Sequence, residues 1–269
     1  MFINKMPTVE FNTNELTELT GISDLNFLRE RIPMLGVDME CLDRDKAVME
    51  IFPNRPDMLC VEGFARALKN FLGLKKEVNT YKVNDENGAE IFVDVSVKPV
   101  RPFISSAIVK NLTITDARLK SLMNIQEKLH ITHGRNRKKV AIGIHNLDVL
   151  KFPVTYKAVN PKEYKFIPLN FESSMDLDEI LRMSPKGIDY GKIIKNFAQF
   201  PLIVDANNDA VSMPPIINAD RTKVTTGTKN LFIEITGTNE YAVEKALAIV
   251  VCTLADMGGE IYNVKINKI

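Results

Sequence analysis

The chain contains 269 residues, of which 45% are hydrophobic, so it is long enough to bury a full core in one large domain or two smaller ones. Lysine and arginine number 35 against 34 aspartate and glutamate, and the net charge of +1 therefore gives no overall sign of a nucleic-acid or membrane partner. The N-terminal residues lack the apolar core of a signal peptide, and no window approaches the ~20 apolar residues of a membrane span, so we expect a cytoplasmic protein.

Residues 1–75 are predicted to form a small α+β domain. Apolar residues recur every three or four positions from 12 to 35, which predicts two short helices separated near Gly21. Residues 37–42 and 47–52 flank a polar turn and predict a β-hairpin. A further helix is expected to follow, with Asp57 as its cap and Gly73 at its end.

Residues 76–98 are polar and predict a linker with one short strand near 91–95. Residues 99–269 are expected to form a larger mixed α/β domain with a central, mostly antiparallel sheet, so the whole chain is assigned to the α+β class. The predicted elements of this domain are strands at 104–109, 140–144, 154–158, 166–169, 202–205, 210–213, 231–235 and 261–266, and helical segments at 116–133, 176–194 and 239–257.

Three histidines are the first candidates for chemistry. His130 and His133 are three residues apart on a predicted helix, but no cluster of further ligands lies nearby, so cations at a helix C-terminus are preferred to a metal site. His145 ends a predicted strand, and a role in a site and a structural role are both open. The sequence contains no nucleophile elbow, no Cys–His pair and no glycine-rich phosphate motif, so neither covalent catalysis nor ATP chemistry is expected within this chain.

Two loops are candidates for binding. The run Arg135-Asn-Arg-Lys-Lys139 could contact phosphate, although charge alone favours a solvated cationic loop. The double proline in Ser212-Met-Pro-Pro-Ile-Ile-Asn218 cannot continue a central strand and predicts a rigid, extended loop. A hydroxyl and an amide at its two ends would suit a small ligand with one polar feature, and a purely structural crossover is the alternative.

The chain carries a series of motifs that run in order over nearly its whole length, at 6–9, 53–59, 61–68, 122–130, 140–145, 212–218, 232–238 and 258–259. Together these segments resemble the N-terminal half of the beta chain of archaeal-type phenylalanyl-tRNA synthetase. Two positions depart from the family pattern, because Ala219 replaces an expected glycine and Asn146 an expected aspartate, which leaves residual rather than full turnover open.

The resemblance implies a small N-terminal domain followed by an editing domain, which hydrolyses tyrosine misattached to phenylalanine tRNA. The partners it implies are that mischarged tRNA and the synthetase alpha chain, with no membrane. No cofactor or metal is expected in this chain, because ATP and magnesium would belong to the aminoacylation module, which this sequence lacks. The residues it implies are Asn218, Ser212 and His145 for catalysis, and Gln126, Arg137, Lys139, Glu234 and Thr236 for substrate binding.

The implied activity has a physical basis. A hydrophobic pocket shaped for phenylalanine rejects the added hydroxyl of tyrosine by only about a hundredfold, so a second, hydrolytic sieve is needed. Ester hydrolysis can proceed with positioned water, oxyanion donors and a ribose hydroxyl, which would account for the missing nucleophile and metal. The alternatives are a non-catalytic tRNA- or subunit-binding module and a free-standing trans-editing hydrolase.

Overall fold

The computed structural model describes residues 7–75, 77 and 79–269. Met6 of the matching N-terminal segment, and Lys76 and Val78 of the predicted linker, lie outside the described residues. The first unit forms an antiparallel sheet in the order β1-β3-β2, and it confirms the two predicted helices and the hairpin. Its elements are β1 (Thr8–Asn12), α1 (Thr13–Thr20), α2 (Leu25–Arg31), β2 (Asp38–Leu42), β3 (Lys46–Glu50) and α3 (Val61–Phe71).

The predicted cap of α3 is wrong. The Asp57 carboxylate accepts from the Arg55 guanidinium at 2.9 Å and lies in a 3₁₀ turn, Pro56–Met58, that delays the start of the helix. Cys60 occupies the N-cap position instead, and its Sγ accepts from the backbone N–H of Gly63 at 3.4 Å. A thiol is a weak acceptor and is not among the usual caps, so the sequence carries no signal for it.

The rest of the chain builds two larger sheets, in the orders β4-β15-β6-β14-β7 and β13-β12-β11-β8-β5-β16, and a small β9-β10 ladder. Most pairs are antiparallel, as predicted. The elements are β4 (Val83–Asn84), β5 (Glu90–Val93), β6 (Phe103–Lys110), α4 (Asp116–Ile131), β7 (Val140–Asn146), β8 (Val154–Val159), β9 (Lys165–Phe166), β10 (Met175–Asp176), α5 (Leu177–Met183), α6 (Pro185–Tyr190), β11 (Phe200–Val204), β12 (Ala210–Met213), β13 (Ile217–Asn218), β14 (Leu231–Gly237), α7 (Glu240–Asp256), β15 (Glu260–Asn263) and β16 (Lys265–Lys268).

Two expectations about connecting segments need correction. The predicted linker contributes β4, which pairs with β15, and β5, which pairs with both β8 and β16. The predicted last strand is two strands, because the chain leaves the five-stranded sheet at Asn263 and enters the six-stranded sheet at Lys265. The predicted short strand near 91–95 is confirmed as β5, and the alternation of buried residues 89, 91 and 93 is its signal, whereas β4 lies in the polar part of the segment, where no such alternation marks it.

β14 is buried along its whole length, so its two faces pack into different layers. Leu231, Ile233 and Ile235 join an apolar core that also contains residues of α4, α7 and the N-terminal unit. Phe232 faces the six-stranded sheet and belongs to a second core between the two sheets. Because side chains alternate along a strand, Glu234 and Thr236 lie on the same face as Phe232 and therefore point between the sheets.

The N-terminal unit is joined to the larger part by that first core and by a polar contact. The Arg66 guanidinium of α3 pairs with the Asp256 carboxylate at the end of α7, and the Tyr81 hydroxyl donates to the same carboxylate at 2.9 Å. Both charged side chains are less than one-fifth exposed. Across the described ranges, no helix is long and apolar enough to cross a membrane.

We expect Asp256→Ala to lower the free energy of unfolding by about 1–3 kcal/mol, because it removes the nearer charged partner of the largely buried Arg66 and leaves only the Asp57 carboxylate, at 4.0 Å. The matched control is Lys265→Ala, which removes the exposed ion pair with Glu90 and should cost less than about 0.5 kcal/mol. Urea unfolding of both variants measures the difference. Equal effects of the two substitutions would contradict a special role for the contact between the two units.

Candidate functional site

The segment 212–218 is a β-hairpin, not the extended loop predicted. Ser212 pairs with Asn218 and Met213 with Ile217, and the tight turn between them contains the cis peptide bond Pro214–Pro215. The turn is closed by the Ile216 N–H, which donates to the Met213 carbonyl at 2.8 Å. The prediction placed Ser212 and Asn218 at opposite ends of a platform, whereas the hairpin places them side by side at the edge of the six-stranded sheet.

Three of the predicted site residues meet beneath this hairpin. The Ser212 hydroxyl donates to Glu234 Oε1 at 2.9 Å, and His145 Nε2 lies 3.7 Å from the same oxygen. Ser212, Glu234 and His145 are 1%, 3% and 0% exposed, so this polar cluster lies in the interior between the two sheets. Among the described residues, neither Glu234 Oε2 nor His145 Nε2 has a hydrogen-bond partner.

The tautomer of His145 depends on the Thr222 hydroxyl. This hydroxyl lies 2.9 Å from the Ala219 carbonyl and 2.9 Å from His145 Nδ1, and in the arrangement in which it donates to the carbonyl it accepts from Nδ1. In the neutral ring Nε2 is then an acceptor, and it faces the carboxylate of Glu234. Two acceptors that face each other at 3.7 Å call for a hydrogen-bond donor between or beside them.

Gly143 makes room for the cluster. It pairs with Glu234 across the β14–β7 ladder, and a methyl group on it would lie 2.6 Å from His145 Nε2 and closer still to Glu234 Oε1. Gly143 was not among the predicted site residues. A glycine inside an otherwise apolar strand is the signal that could have found it, since such glycines often mark a close approach.

Thr236 is hydrogen-bonded to Arg101, a second buried residue that was not among the predicted site residues. Its hydroxyl accepts from Arg101 Nε at 2.8 Å, and its carbonyl accepts from the same guanidinium at 2.7 Å. Arg101 is only 1% exposed, and burial lowers the pKa of its guanidinium to about 10. The predicted substrate contact of Thr236 stays a prediction, because in this conformation its hydroxyl bonds to Arg101.

Arg137 holds the tip of the hairpin. Its guanidinium donates to the carbonyls of Ile216 at 3.0 Å and Pro215 at 3.3 Å, and it lies 4.8 Å from the centre of the Tyr190 ring. The Glu127 carboxylate accepts from it at 3.2 Å. These contacts leave the guanidinium largely buried, so its predicted contact with a terminal adenosine stays a prediction.

The backbone that carries Arg137 is unusual. Arg135, Asn136 and Arg137 have φ angles of 50°, 54° and 63°, so three consecutive non-glycine residues adopt the left-handed conformation. This conformation costs roughly 1–2 kcal/mol per ordinary residue, so the contacts of the loop must stabilise it. Arg135 and Lys138 are exposed, in agreement with a solvated cationic loop at those two positions.

The other two predicted binding residues border the same region. The Gln126 side chain of α4 donates to the Ile142 carbonyl at 2.7 Å and so ties α4 to β7. Lys139 is half-buried, and its backbone carbonyl accepts from the Thr238 N–H at 3.1 Å. The Asn218 amide lies closer to the cluster and donates to the Ile144 carbonyl at 3.3 Å, near the long limit for a hydrogen bond.

The cavity under the hairpin is small in this conformation. It has a volume of about 20 Å³, which suffices for one water molecule. Its walls are Ala141 and Ile142 of β7, the hairpin, Arg137 and Glu234. A side chain the size of tyrosine therefore requires the hairpin to move. A much larger groove of about 1060 Å³ lies elsewhere, between the N-terminal unit and α4.

The two helix-terminal histidines are structural. His130 Nε2 accepts from the Ile142 N–H at 2.8 Å, and a ring nitrogen of His133 lies 2.8 Å from the Ala242 carbonyl. Burial lowers the pKa of His130 to about 4, so the predicted cation at this position is wrong at neutral pH. Within the part of the chain that the structure describes, no group of three or more potential ligands is arranged to hold a metal ion.

The chain resembles known proteins over almost its whole length. Residues 103–249 match the family described as the B3/4 domain. The chain is 45% identical over 261 residues to the phenylalanine–tRNA ligase beta subunit of Archaeoglobus fulgidus, covering 97% of this chain and 47% of the relative. It is 43% identical to the corresponding subunit of Methanosphaera stadtmanae, with 97% and 47% covered. The chain thus spans about half the length of these curated relatives.

A solved structure is similar over the same region. It is an N-terminal fragment of the phenylalanyl-tRNA synthetase beta subunit from Pyrococcus horikoshii, with 36% sequence identity and a TM-score of 0.91. The likeness covers 97% of this chain and 77% of that one. Agreement of this extent includes both the N-terminal unit and the two large sheets.

The neutral state of His130 predicts a pH dependence of stability. The pKa of an unfolded histidine is about 6.5, so the unfolded chain binds more protons than the folded one between pH 6.5 and about 4, and stability is lost as the pH falls through this range. The cost of His130→Gln should therefore be larger at pH 7 than at pH 4.5, by about 2 kcal/mol. Urea unfolding at the two pH values measures it, with His133→Gln as control. An equal cost of His130→Gln at both pH values would argue against this titration.

Proposed function

The chain belongs to the family of archaeal-type phenylalanyl-tRNA synthetase beta subunits, and on that premise we propose that its larger domain hydrolyses tyrosine misattached to phenylalanine tRNA. The observation that supports this most directly is the pair of unsatisfied acceptors, Glu234 Oε2 and His145 Nε2, beneath an apolar hairpin. This combination suits a ligand with an aromatic ring and one hydroxyl donor.

The acceptor pair supplies a basis for choosing tyrosine over phenylalanine. The phenolic hydroxyl of tyrosine donates to the Glu234 carboxylate or to His145, while its ring packs against Ile142, Met213 and Ile216. Phenylalanine would bury the same ring but leave both acceptors unpaired, at a cost of about 1–3 kcal/mol or more for a charged group. A site of this kind prefers tyrosine to phenylalanine, whereas an aminoacylation pocket shaped for phenylalanine rejects tyrosine only weakly.

The chemistry needs no nucleophile from the protein. Water attacks the ester carbonyl carbon and the carbonyl oxygen takes up negative charge. The bond to the ribose oxygen then breaks, that oxygen takes up the proton lost by the attacking water, and tyrosine and the terminal ribose hydroxyl of the tRNA are released. Asn218 Nδ2 is the donor proposed for the developing oxyanion, because its present hydrogen bond of 3.3 Å to the Ile144 carbonyl is weak and easily exchanged. Ser212 orients the Glu234 carboxylate.

Binding requires the hairpin to open. The cavity of about 20 Å³ cannot admit a phenol ring, so the Pro214–Pro215 turn must move away from β7. Arg137 holds two carbonyls of this turn and must release or follow them. We propose no cofactor for this step, and we assign ATP, magnesium and the alpha-chain contacts to the remainder of the longer relatives.

Asn218→Ala should reduce the release of tyrosine from tyrosyl-tRNA(Phe) by roughly a hundredfold, the typical effect of losing one oxyanion donor. Single-turnover deacylation measures the rate with excess protein. Asn207→Ala is the matched control, because Asn207 lies in an exposed turn of the same sheet, and it should leave the rate unchanged. Equal rates for Asn218→Ala and the wild-type chain would refute the assigned role.

Glu234→Gln should alter selectivity, since the amide keeps the shape of the carboxylate but removes its charge and turns one acceptor into a donor. The preference for tyrosyl- over phenylalanyl-tRNA(Phe) should fall by at least about tenfold. The measurement is the ratio of deacylation rates for the two esters on the same tRNA. If both rates fell in proportion and the ratio stayed constant, Glu234 would serve the fold or the chemistry and not the recognition of the hydroxyl.

A further inference from the structure

The surface beside the hairpin that continues from Arg137 carries free positive charge. The loop 134–139 contains four cations and no acid, and the segment 182–197 contains four cations and one acid, Asp189. The two segments meet where the Arg137 guanidinium and the Lys186 ammonium lie 4.8 and 5.6 Å from the centre of the Tyr190 ring. The two segments therefore adjoin at Arg137, beside the candidate site.

The charges on this surface differ in their availability. Arg137 and Lys186 both pair with the Glu127 carboxylate, at 3.2 and 3.1 Å. The remaining cations, apart from the half-buried Lys139 and from Arg182, whose Nε donates to the Asp178 carbonyl at 3.3 Å, are exposed and form no ion pair with any residue that the structure describes. Next to them the Phe197 ring is 39% exposed. We name this set the basic flank, and it consists of Arg135, Lys138, Lys192, Lys195 and Phe197.

The other side of the hairpin carries less free charge, because, of its cations Arg221 and Lys223, only the exposed Lys223 forms no ion pair among the described residues. There the Arg221 guanidinium pairs with the Asp205 carboxylate at 3.0 Å, and the Lys223 ammonium donates to the Asn170 side chain at 2.9 Å. Asp220 adds a negative charge on that side. The electrostatic field around the site is thus asymmetric, although the chain as a whole is nearly neutral.

We infer that the basic flank binds the phosphate backbone of the single-stranded tRNA 3′ end and directs the terminal ester under the hairpin. The inference rests on the proposed function, because a tRNA whose terminal ester lies under the hairpin has to pass its preceding nucleotides along one side of that hairpin. Free lysine and arginine neutralise phosphates, and an exposed aromatic ring can stack on a base, which is the usual combination for single-stranded nucleic acid. Only the Arg137 side offers both.

The test is the binding of uncharged phenylalanine tRNA to the chain between about 50 and 200 mM salt, followed by fluorescence anisotropy. Lys192→Ala/Lys195→Ala should weaken binding about tenfold or more near 100 mM salt and reduce the slope of log K against log salt by about one for each phosphate that is no longer neutralised. Lys192→Arg/Lys195→Arg should retain the affinity, since arginine also binds phosphate.

The matched control is Lys265→Ala/Lys268→Ala, which removes the same charge from β16, at the opposite edge of the six-stranded sheet. Four strands separate β16 from β13, so these lysines lie roughly 24 Å from the hairpin strand and should not affect binding. An equal loss in this control, or no loss in Lys192→Ala/Lys195→Ala, overturns the inference.

A further outcome separates the inference from the proposed function. Binding of uncharged tRNA requires no ester cleavage. A chain that binds tRNA through the flank but releases no tyrosine would therefore contradict the proposed hydrolysis and leave the inference intact.

Discussion

The burial of charged groups between the two large sheets is the constraint on which the rest of the structure depends. Glu234 and Arg101 are both nearly inaccessible, yet among the described residues they form no direct ion pair with each other. A charged group can be buried only where hydrogen bonds from the protein replace those that it made to water. Arg101 makes them with Thr236, and Glu234 accepts one from Ser212, so the inner face of β14 determines where the hairpin and β7 must lie.

Hydrogen bonding in the polar layer between the two sheets is therefore complete in one half and incomplete in the other. The structural half of the polar layer, around Arg101 and Thr236, is satisfied, whereas the half under the hairpin retains acceptors on Glu234 and His145 without donors among the residues described. Arg137 closes this half by holding the hairpin tip, and it stands at the border of the basic flank. If both proposals hold, the tRNA backbone binds next to the hairpin that has to open, because Arg137, which binds the hairpin tip, is the sequence neighbour of Lys138 in the basic flank.

Much of the fold was predictable from periodicity, whereas the site was predictable only in part. The helices α4 and α7 show their apolar spacing in the sequence and were located within two residues. Ser212 and Asn218 were selected, but their geometry was wrong, because a double proline is equally compatible with an extended loop and with a tight turn. The meeting of His145 with Glu234 depends on pairing between strands that are 89 residues apart in sequence, and no local pattern encodes it. Nothing in the sequence distinguishes Arg101 from a surface arginine, because its burial results from the packing of the two sheets.

The crossing of the chain between the two sheets at Val264 bears on how the protein is made. The segment 260–268 pairs with β4 and β5 in parallel register, so residues such as Ile261 and Val83 meet although they lie 178 positions apart in the chain. During synthesis both large sheets thus lack strands until the segment 260–268 has left the ribosome, whereas the strands of the N-terminal unit pair within some forty residues of one another. Contacts between distant segments form slowly, so the N-terminal unit is able to fold first and to offer its apolar face to the sheets that form later.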